Sequence, residues 1–190
     1  MKKLWKLGLV TVLLLGAITA CKSPEEKLDA YVTTTWNPAK DSLFQVYKIA
    51  GSTVSFTEKS VKEMVGSSLY TRHFDSTLQA EFITLGNKQK SELQLQTIMF
   101  EAIKTMVQIV EQQDLAFDKA LIPNPKATPD FEALQKQGKV LADSCLSLKK
   151  KYTIAFAQSQ SAATNNQLYF KDRLDTEIKL FNQKYVEQGK

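Results

Sequence analysis

The side chains that could carry out catalysis or bind a metal are few in this chain of 190 residues. It contains one histidine, His73, and two cysteines, Cys21 and Cys145. Helical bundles that bind two irons use Glu-x-x-His pairs, but the residue three positions before His73 is Tyr70. These counts exclude four-cysteine zinc sites and most histidine-based chemistry. We therefore predict no metal, no cofactor and no enzymatic activity.

Cys145 is the first candidate for a catalytic nucleophile. Apolar residues recur around it at the intervals of one helix face: Leu134, Leu141, Leu148 and Tyr152. A cysteine in such a row usually packs as a small apolar residue, so we expect it in the core. The alternative is a Cys145–His73 dyad, which would require the two side chains to meet in space.

Two further features are candidates for contact with a partner or a membrane. The run Lys149-Lys150-Lys151 lies late in a predicted helix. It forms either a solvated face near the negative end of the helix dipole or a contact for anionic lipid headgroups or an acidic partner. Trp36 precedes Asn37-Pro38 and is either a core residue at a kink or an exposed partner contact.

The first 20 residues have the features of a secretory signal peptide. Three lysines and no acidic residue occupy the first six positions, and an apolar run follows over residues 7–20. That run is shorter than the roughly 20 residues that a membrane-spanning helix needs. The pattern predicts export from the cytoplasm.

The end of this segment, Ile18-Thr19-Ala20-Cys21, resembles the lipobox of bacterial lipoprotein precursors. The resemblance implies a lipoprotein signal peptide over residues 1–20 and acylation of Cys21, for which palmitate is a suitable label. Because Lys22 rather than Asp follows the cysteine, it also implies an outer-membrane location facing the periplasm. The acidic pair Glu25-Glu26 resembles surface-export signals of other bacterial groups, so export to the cell surface is the alternative. Residues 21–190 would then form a lipid-anchored helical-bundle domain.

The charge of the mature chain is nearly balanced. Removing residues 1–20 takes away three of the 25 basic side chains and leaves 22, against 20 acidic ones, a net charge of +2. The only arginines are Arg72 and Arg173. A surface with so little positive charge does not favour nucleic-acid binding.

The spacing of apolar residues predicts an all-α fold, an elongated antiparallel bundle of four to five long helices. The first segment begins at a capping box, Ser23-Pro24-Glu25-Glu26, and we expect it to end at Gly51. Residues 52–57 are predicted to be an extended linker. Gly86 would end the second segment and start a third over residues 88–121, and a capping box at residues 164–167 would start a fifth.

The third segment has the broadest apolar surface, so we expect it to be buried on several sides at the centre of the bundle. Its apolar residues are Leu95, Ile98, Met99, Ala102, Ile103, Met106, Ile109 and Val110. In the fourth segment, Gly138 fills a gap in the apolar row and indicates a close helix contact. The proline-containing stretch at residues 122–129 is either an interhelix loop or a docking point.

Together these patterns predict a membrane-tethered, non-enzymatic binding or scaffolding protein of the bacterial cell envelope. Its partners would be the membrane, through the lipid on Cys21, and an unknown envelope protein. The alternative is a carrier of an apolar, lipid-like ligand in a cavity between helices.

Overall fold

The computed structural model describes residues 22–67, 76–122 and 129–188. These residues are almost entirely helical and include no strand. Cys21 with the predicted signal peptide, His73, and positions 123–128 of the proline-containing stretch lie outside the described residues. Within the described ranges, no helix has an apolar stretch that could cross a membrane.

Three long helices pack together into a bundle. A short helix α1, Pro24–Tyr31, leads through a π-helical turn, Val32–Trp36, into α2, Asn37–Ser67. The other long helices are α3, Ser76–Leu121, and α4, Phe131–Gln188. The all-α prediction is confirmed, whereas the predicted count of four to five long helices is wrong.

The count was wrong because local stop and start signals lie inside continuous helices. Gly51 and the predicted linker at residues 52–57 lie within α2. Gly86 lies within α3, and the capping box at residues 164–167 lies within α4. A helical glycine costs about 1 kcal/mol against alanine. Burying one large apolar side chain contributes about 1.5–3 kcal/mol, so an uninterrupted core-facing row outweighs the glycine.

Each long helix buries residues at alternating intervals of three and four, the heptad pattern of coiled coils. In the end of the π-helical turn and in α2 these residues are Trp36, Ala39, Leu43, Val46, Ala50, Thr53, Thr57, Ser60 and Met64. In α3 one seven-residue row contains Phe82, Gln89, Gln96, Ile103, Val110 and Phe117, all of them buried. A shared repeat of seven lets the three helices stay in contact over many turns.

The π-helical turn inserts one residue into this repeat. Leu28 and Tyr31 are buried in α1. Trp36 follows Leu28 by eight residues instead of seven, and Ala39 follows Tyr31 by the same interval. Pro38 explains the insertion, because it has no N–H and its ring would crowd a carbonyl of the preceding turn. The backbone N–H of Asn37 bonds instead to the Val32 carbonyl, five residues back.

The chain divides into two compact units. Unit 1 contains residues up to Asp41 together with Ile109–Ser144, and unit 2 contains Ser42–Gln108 together with the chain from Cys145 onward. In unit 1 the Trp36 ring meets the Phe117 ring edge-on, with centroids 5.2 Å apart. The Trp36 Nε1 donates to Asp114 Oδ1 at 2.8 Å, and Lys40 Nζ lies 2.7 Å from Asp114 Oδ2.

Gly138 lies against the same aromatic residues, which confirms the predicted close helix contact. A Cβ atom built on Gly138 would lie 2.5 Å from Phe117 Cζ and 3.2 Å from Tyr31 Cε1. Both distances are below ordinary van der Waals contact. Only glycine fits here without displacing a buried ring.

Unit 2 has an apolar cluster of Met64, Phe82, Leu85 and Phe170. The layers that follow it are polar. Gln89 Nε2 donates to Ser60 Oγ at 2.9 Å and to the Ala163 carbonyl at 3.1 Å, and Gln96 Nε2 donates to Ser159 Oγ at 2.9 Å. Because higher numbers in α3 meet lower numbers in α4, these two helices are antiparallel in unit 2.

The buried glutamines are only partly satisfied. The Oε1 atoms of Gln89 and Gln96 and the Oγ1 atom of Thr57 are buried and receive no hydrogen bond. Each such atom costs about 1–3 kcal/mol of desolvation. Unit 2 is therefore less stable than it would be with apolar residues in these layers.

We expect Gly138→Ala to lower the free energy of unfolding by about 1–3 kcal/mol, because the methyl group overlaps the Phe117 ring. Gly86→Ala is the matched control. It also lies within a helix, but a Cβ there meets nothing within 4 Å, so it should raise stability by about 0.4–1 kcal/mol. Urea unfolding of both variants measures the difference. Equal effects of the two substitutions would show that the close contact does not exist.

We expect Gln96→Leu to raise the free energy of unfolding by about 1–2 kcal/mol, because it removes a buried oxygen that has no donor. Ser159 keeps its hydrogen bond to Glu92 Oε2 at 2.6 Å in this variant. Gln94→Leu, at an exposed position of the same helix, should change stability by less than about 0.5 kcal/mol. A loss of stability in Gln96→Leu would contradict the expectation.

Candidate functional site

The structure places Cys145 in the core, as predicted. Its side chain is fully buried, and burial raises the pKa of the thiol from an ordinary 9.0 to about 11. A nucleophilic cysteine needs the opposite shift, because the thiolate is the reactive form. His73, the other member of the alternative dyad, lies outside the described residues.

Trp36 is also fully buried. Its ring packs against Phe117, and its only polar atom is taken by Asp114. The side chain therefore has no surface to offer to a partner, and the alternative of an exposed contact at this residue does not apply. The predicted kink corresponds to the π-helical turn that ends at Trp36.

The three lysines differ from one another in their surroundings. Lys149 is half-buried and donates to Ser42 Oγ at 3.3 Å, whereas Lys150 and Lys151 are exposed. Lys151 Nζ lies 5.2 Å from the centre of the Tyr152 ring. The run lies in the middle of the 58-residue helix α4, so the expected interaction with a helix C-terminus is wrong.

The expectation that residues 88–121 are buried on several sides is also wrong. One side of α3 is buried and includes Met99, Ile103 and Val110, while the opposite flank is exposed. On that flank Leu95 is 51% and Ile98 is 70% exposed, and Ala102 and Ile109 are exposed as well. In a bundle of three helices each helix has only two neighbours, so a second apolar row on α3 remains in contact with solvent.

This flank belongs to a longer line of residues, which we call the outer row: Glu81, Thr84, Lys88, Ser91, Leu95, Ile98 and Ala102. Its members follow each other at intervals of three and four, so they lie on one face of α3. The first part of the row is polar and the last part is apolar. Sequence periodicity detected the apolar part but assigned it to the core.

Grooves between α3 and α4 adjoin the polar part of the outer row in unit 2. One of about 640 Å³ is lined by residues that include Glu81, Thr84, Lys88 and Tyr169. A second, of about 470 Å³, shares Thr84 and Lys88 with the first and extends to Glu92. Both are open to solvent and share lining residues, so we describe them together as the α3–α4 groove.

The acidic side chains of the α3–α4 groove are already engaged. Glu81 Oε1 accepts a hydrogen bond from the Tyr169 hydroxyl at 2.7 Å, and Glu81 Oε2 lies 3.5 Å from Arg173 Nε. The hydrogen bond to Glu81 raises the pKa of Tyr169. Glu92 accepts from Ser159. Lys88 has no hydrogen bond or ion pair with the described residues, so it is the uncompensated charge of the groove.

Unit 1 has a groove of its own, of about 730 Å³, beside the π-helical turn. Thr35 of that turn lines it, together with both acidic and basic residues at the start of α4 and just before it: Asp130, Glu132, Lys136, Lys139 and Asp143. Asp130 Oδ1 accepts from the Ala133 N–H at 2.9 Å and caps α4. The mixed charges suit a polar ligand but do not select one.

These three grooves are open to solvent and are lined by both polar and apolar side chains. Within the part of the chain that the structure describes, no three His, Cys, Asp or Glu side chains are placed to hold a metal. Of the described residues, the buried thiol of Cys145 is not in the form that a nucleophile needs.

The buried thiol gives a pH-dependent contribution to stability. A raised pKa in the folded state means that the contribution is fully present below pH 9 and is lost as the pH rises through about 11. We expect the free energy of unfolding to fall more steeply between pH 9 and 11 in the natural chain than in Cys145→Ala. Urea titrations at several pH values measure both slopes, and parallel curves would contradict a buried thiol.

Comparison with known proteins adds no relative to this description. The chain matches no protein-family model, no curated protein and no solved structure. Its functional interpretation therefore depends on its own residues and their geometry.

Proposed function

We infer that this protein is a membrane-tethered, non-enzymatic binding or scaffolding protein of the bacterial cell envelope, anchored by lipid on Cys21. The proposed location is the outer membrane, facing the periplasm. The observation that most supports a binding role at the membrane is the start of α1 at Pro24, three residues after the proposed anchor.

The junction between the anchor and α1 is short and well fixed. Ser23 Oγ accepts a hydrogen bond from the Glu26 N–H at 3.1 Å, and the Ser23 N–H donates to Glu26 Oε2 at 2.9 Å. This capping box and Pro24 at the first helical position match the prediction from the sequence. They leave little freedom in the chain between the acylated cysteine and the folded body.

The reach of this tether follows from chain geometry. Three residues span at most about 11 Å when fully extended. The first turn of α1 would therefore lie at the level of the lipid headgroups, and unit 1 would stay beside the bilayer. A protein held in this way meets partners that are embedded in, or attached to, the same membrane.

The surface of unit 2 supports a binding role over an enzymatic one. It presents an apolar and a cationic segment on one helix face, whereas its single described cysteine is buried with a raised pKa. A lipid anchor restricts the search for a partner to two dimensions, so a weak binding surface becomes more effective.

We expect Cys21→Ser to abolish labelling with [³H]palmitate and to move the protein from the membrane fraction to the soluble fraction. Stable anchoring needs two or more acyl chains, and a serine at this position has no thiol to carry the first of them. Cys145→Ala is the matched control and should keep both the label and the location. Palmitate labelling that survives Cys21→Ser would exclude the proposed anchor.

The short tether can be measured with Trp36, the only tryptophan after residue 20. It lies about 18 Å along the helix from Pro24, so its fluorescence should be transferred to dansyl-labelled headgroups in the same bilayer. Inserting 20 Gly/Ser residues between Lys22 and Ser23 adds a mean reach of about 25 Å and should lower the transfer. Equal transfer with and without the insert would contradict a short, fixed junction.

A further inference from the structure

We propose that the α3–α4 face of unit 2 is the docking surface for an acidic amphipathic helix of a partner protein. The surface consists of the outer row of α3 and the facing row of α4. This proposal deepens the binding role proposed above, because it names the surface and the chemistry of the partner.

The first observation is an inversion of polarity within α3. Gln89 and Gln96 are fully buried, while Leu95 and Ile98 are 51% and 70% exposed. Leu95 is thus exposed while its neighbour Gln96 is buried, whereas the hydrophobic effect favours the reverse. Leu95 and Ile98 each keep half or more of their surface in solvent, so neither contributes the burial energy of a full core residue.

The second observation is the spacing of the exposed apolar residues. Leu95, Ile98 and Ala102 repeat the three–four alternation of the buried rows. In coiled coils this alternation lets a row of side chains pack into the holes of another helix. The apolar part of the outer row therefore has the spacing of a coiled-coil seam.

The α4 side of the same face is suited to close approach. Lys151, Ala155, Gln158, Ala162 and Tyr169 follow each other at helical intervals, and Ala162 and Tyr169 line the α3–α4 groove. Because α3 and α4 are antiparallel in unit 2, the Lys151 end of this row lies beside the apolar part of the outer row. Alanines at this position leave room for the side chains of a docking helix.

The third observation is the sign of the free charge. Lys88 has no partner among the described residues, and Lys151 is exposed over the Tyr152 ring, whereas Glu81 and Glu92 are engaged. Lys88 lies seven and ten residues before Leu95 and Ile98, or about 10 and 15 Å along the helix. The described residues of unit 2 carry 13 basic and 9 acidic side chains, a net charge of +4.

These observations together define the occupant. Its apolar residues would recur at intervals of three and four to cover Leu95 and Ile98. Its carboxylates would lie about two helical turns from those apolar residues, where they meet Lys88. A basic helix would be repelled, so charge would set the choice of partner.

The test uses a designed peptide as a probe. The peptide has four heptads with leucine at the two seam positions and glutamate at the flanking ones, and its control carries lysine instead of glutamate. The full-length protein is taken from membranes into phosphatidylcholine nanodiscs, or from the soluble fraction if it is not acylated. Binding of the labelled peptides is measured by fluorescence anisotropy.

We expect the glutamate peptide to bind at least about ten times more tightly than the lysine peptide. Leu95→Ser with Ile98→Ser should weaken binding about ten-fold or more, and Lys88→Glu should weaken it several-fold and reverse the preference between peptides. Ile83→Ser is the matched control, because Ile83 is 62% exposed on the other flank of α3, and it should bind like the natural chain.

Three results would overturn the proposal. The first is equal binding to all variants, or a preference for the lysine peptide. The second is self-association in analytical ultracentrifugation that Leu95→Ser with Ile98→Ser abolishes, which would make a second copy of the chain the occupant. The third is binding to anionic but not neutral vesicles that Lys88→Glu and Lys151→Glu abolish, which would make the lipid surface the occupant. The anchor is tested separately by palmitate labelling, so the two proposals can fail independently.

Discussion

The shared seven-residue repeat of the three helices is the constraint on which the rest of this structure depends. Helices α2, α3 and α4 can stay in contact over many turns only if each presents a core residue every three and four positions. The π-helical turn at Val32–Trp36 shows how strictly the repeat is kept. Pro38 disturbs the helix there, and one inserted residue returns Trp36 and Ala39 to the core face. The repeat also explains why helix α3 continues through Gly86 without ending.

The repeat fixes positions but does not require that every one be apolar. Unit 2 places Gln89, Gln96 and Thr57 in its core and leaves an oxygen of each without a donor. Such residues destabilise a bundle relative to leucine, but they restrict which helices can pair and in which alignment. Gln89 can reach Ser60 and the Ala163 carbonyl only in the observed alignment of the three helices. We interpret these layers as determinants of register.

Local chemistry could be predicted from the sequence, whereas the continuity and the exposure of the helices could not. Signals within a few residues were interpreted correctly, as for the capping box at Ser23 and the buried thiol of Cys145. Gly86 was misinterpreted, because a local signal is weaker than core burial along the whole helix. Leu95 and Ile98 were misplaced for a different reason. An apolar row looks the same in a sequence whether a helix of the same chain covers it or not.

That ambiguity bears directly on function. A helix that buries glutamine and exposes leucine and isoleucine within the same two turns is not arranged for the stability of the isolated chain. Burying leucine in place of Gln96 would favour the folded chain, and a polar residue in place of Ile98 would change its stability by only about 0.5 kcal/mol. The observed arrangement instead destabilises the buried contacts between helices and leaves an apolar row exposed. This row lies near Lys88, which has no ion pair with the described residues. The docking role proposed for the outer row would use both features, because the internal polar layers keep the helices of unit 2 aligned while the outer row remains exposed.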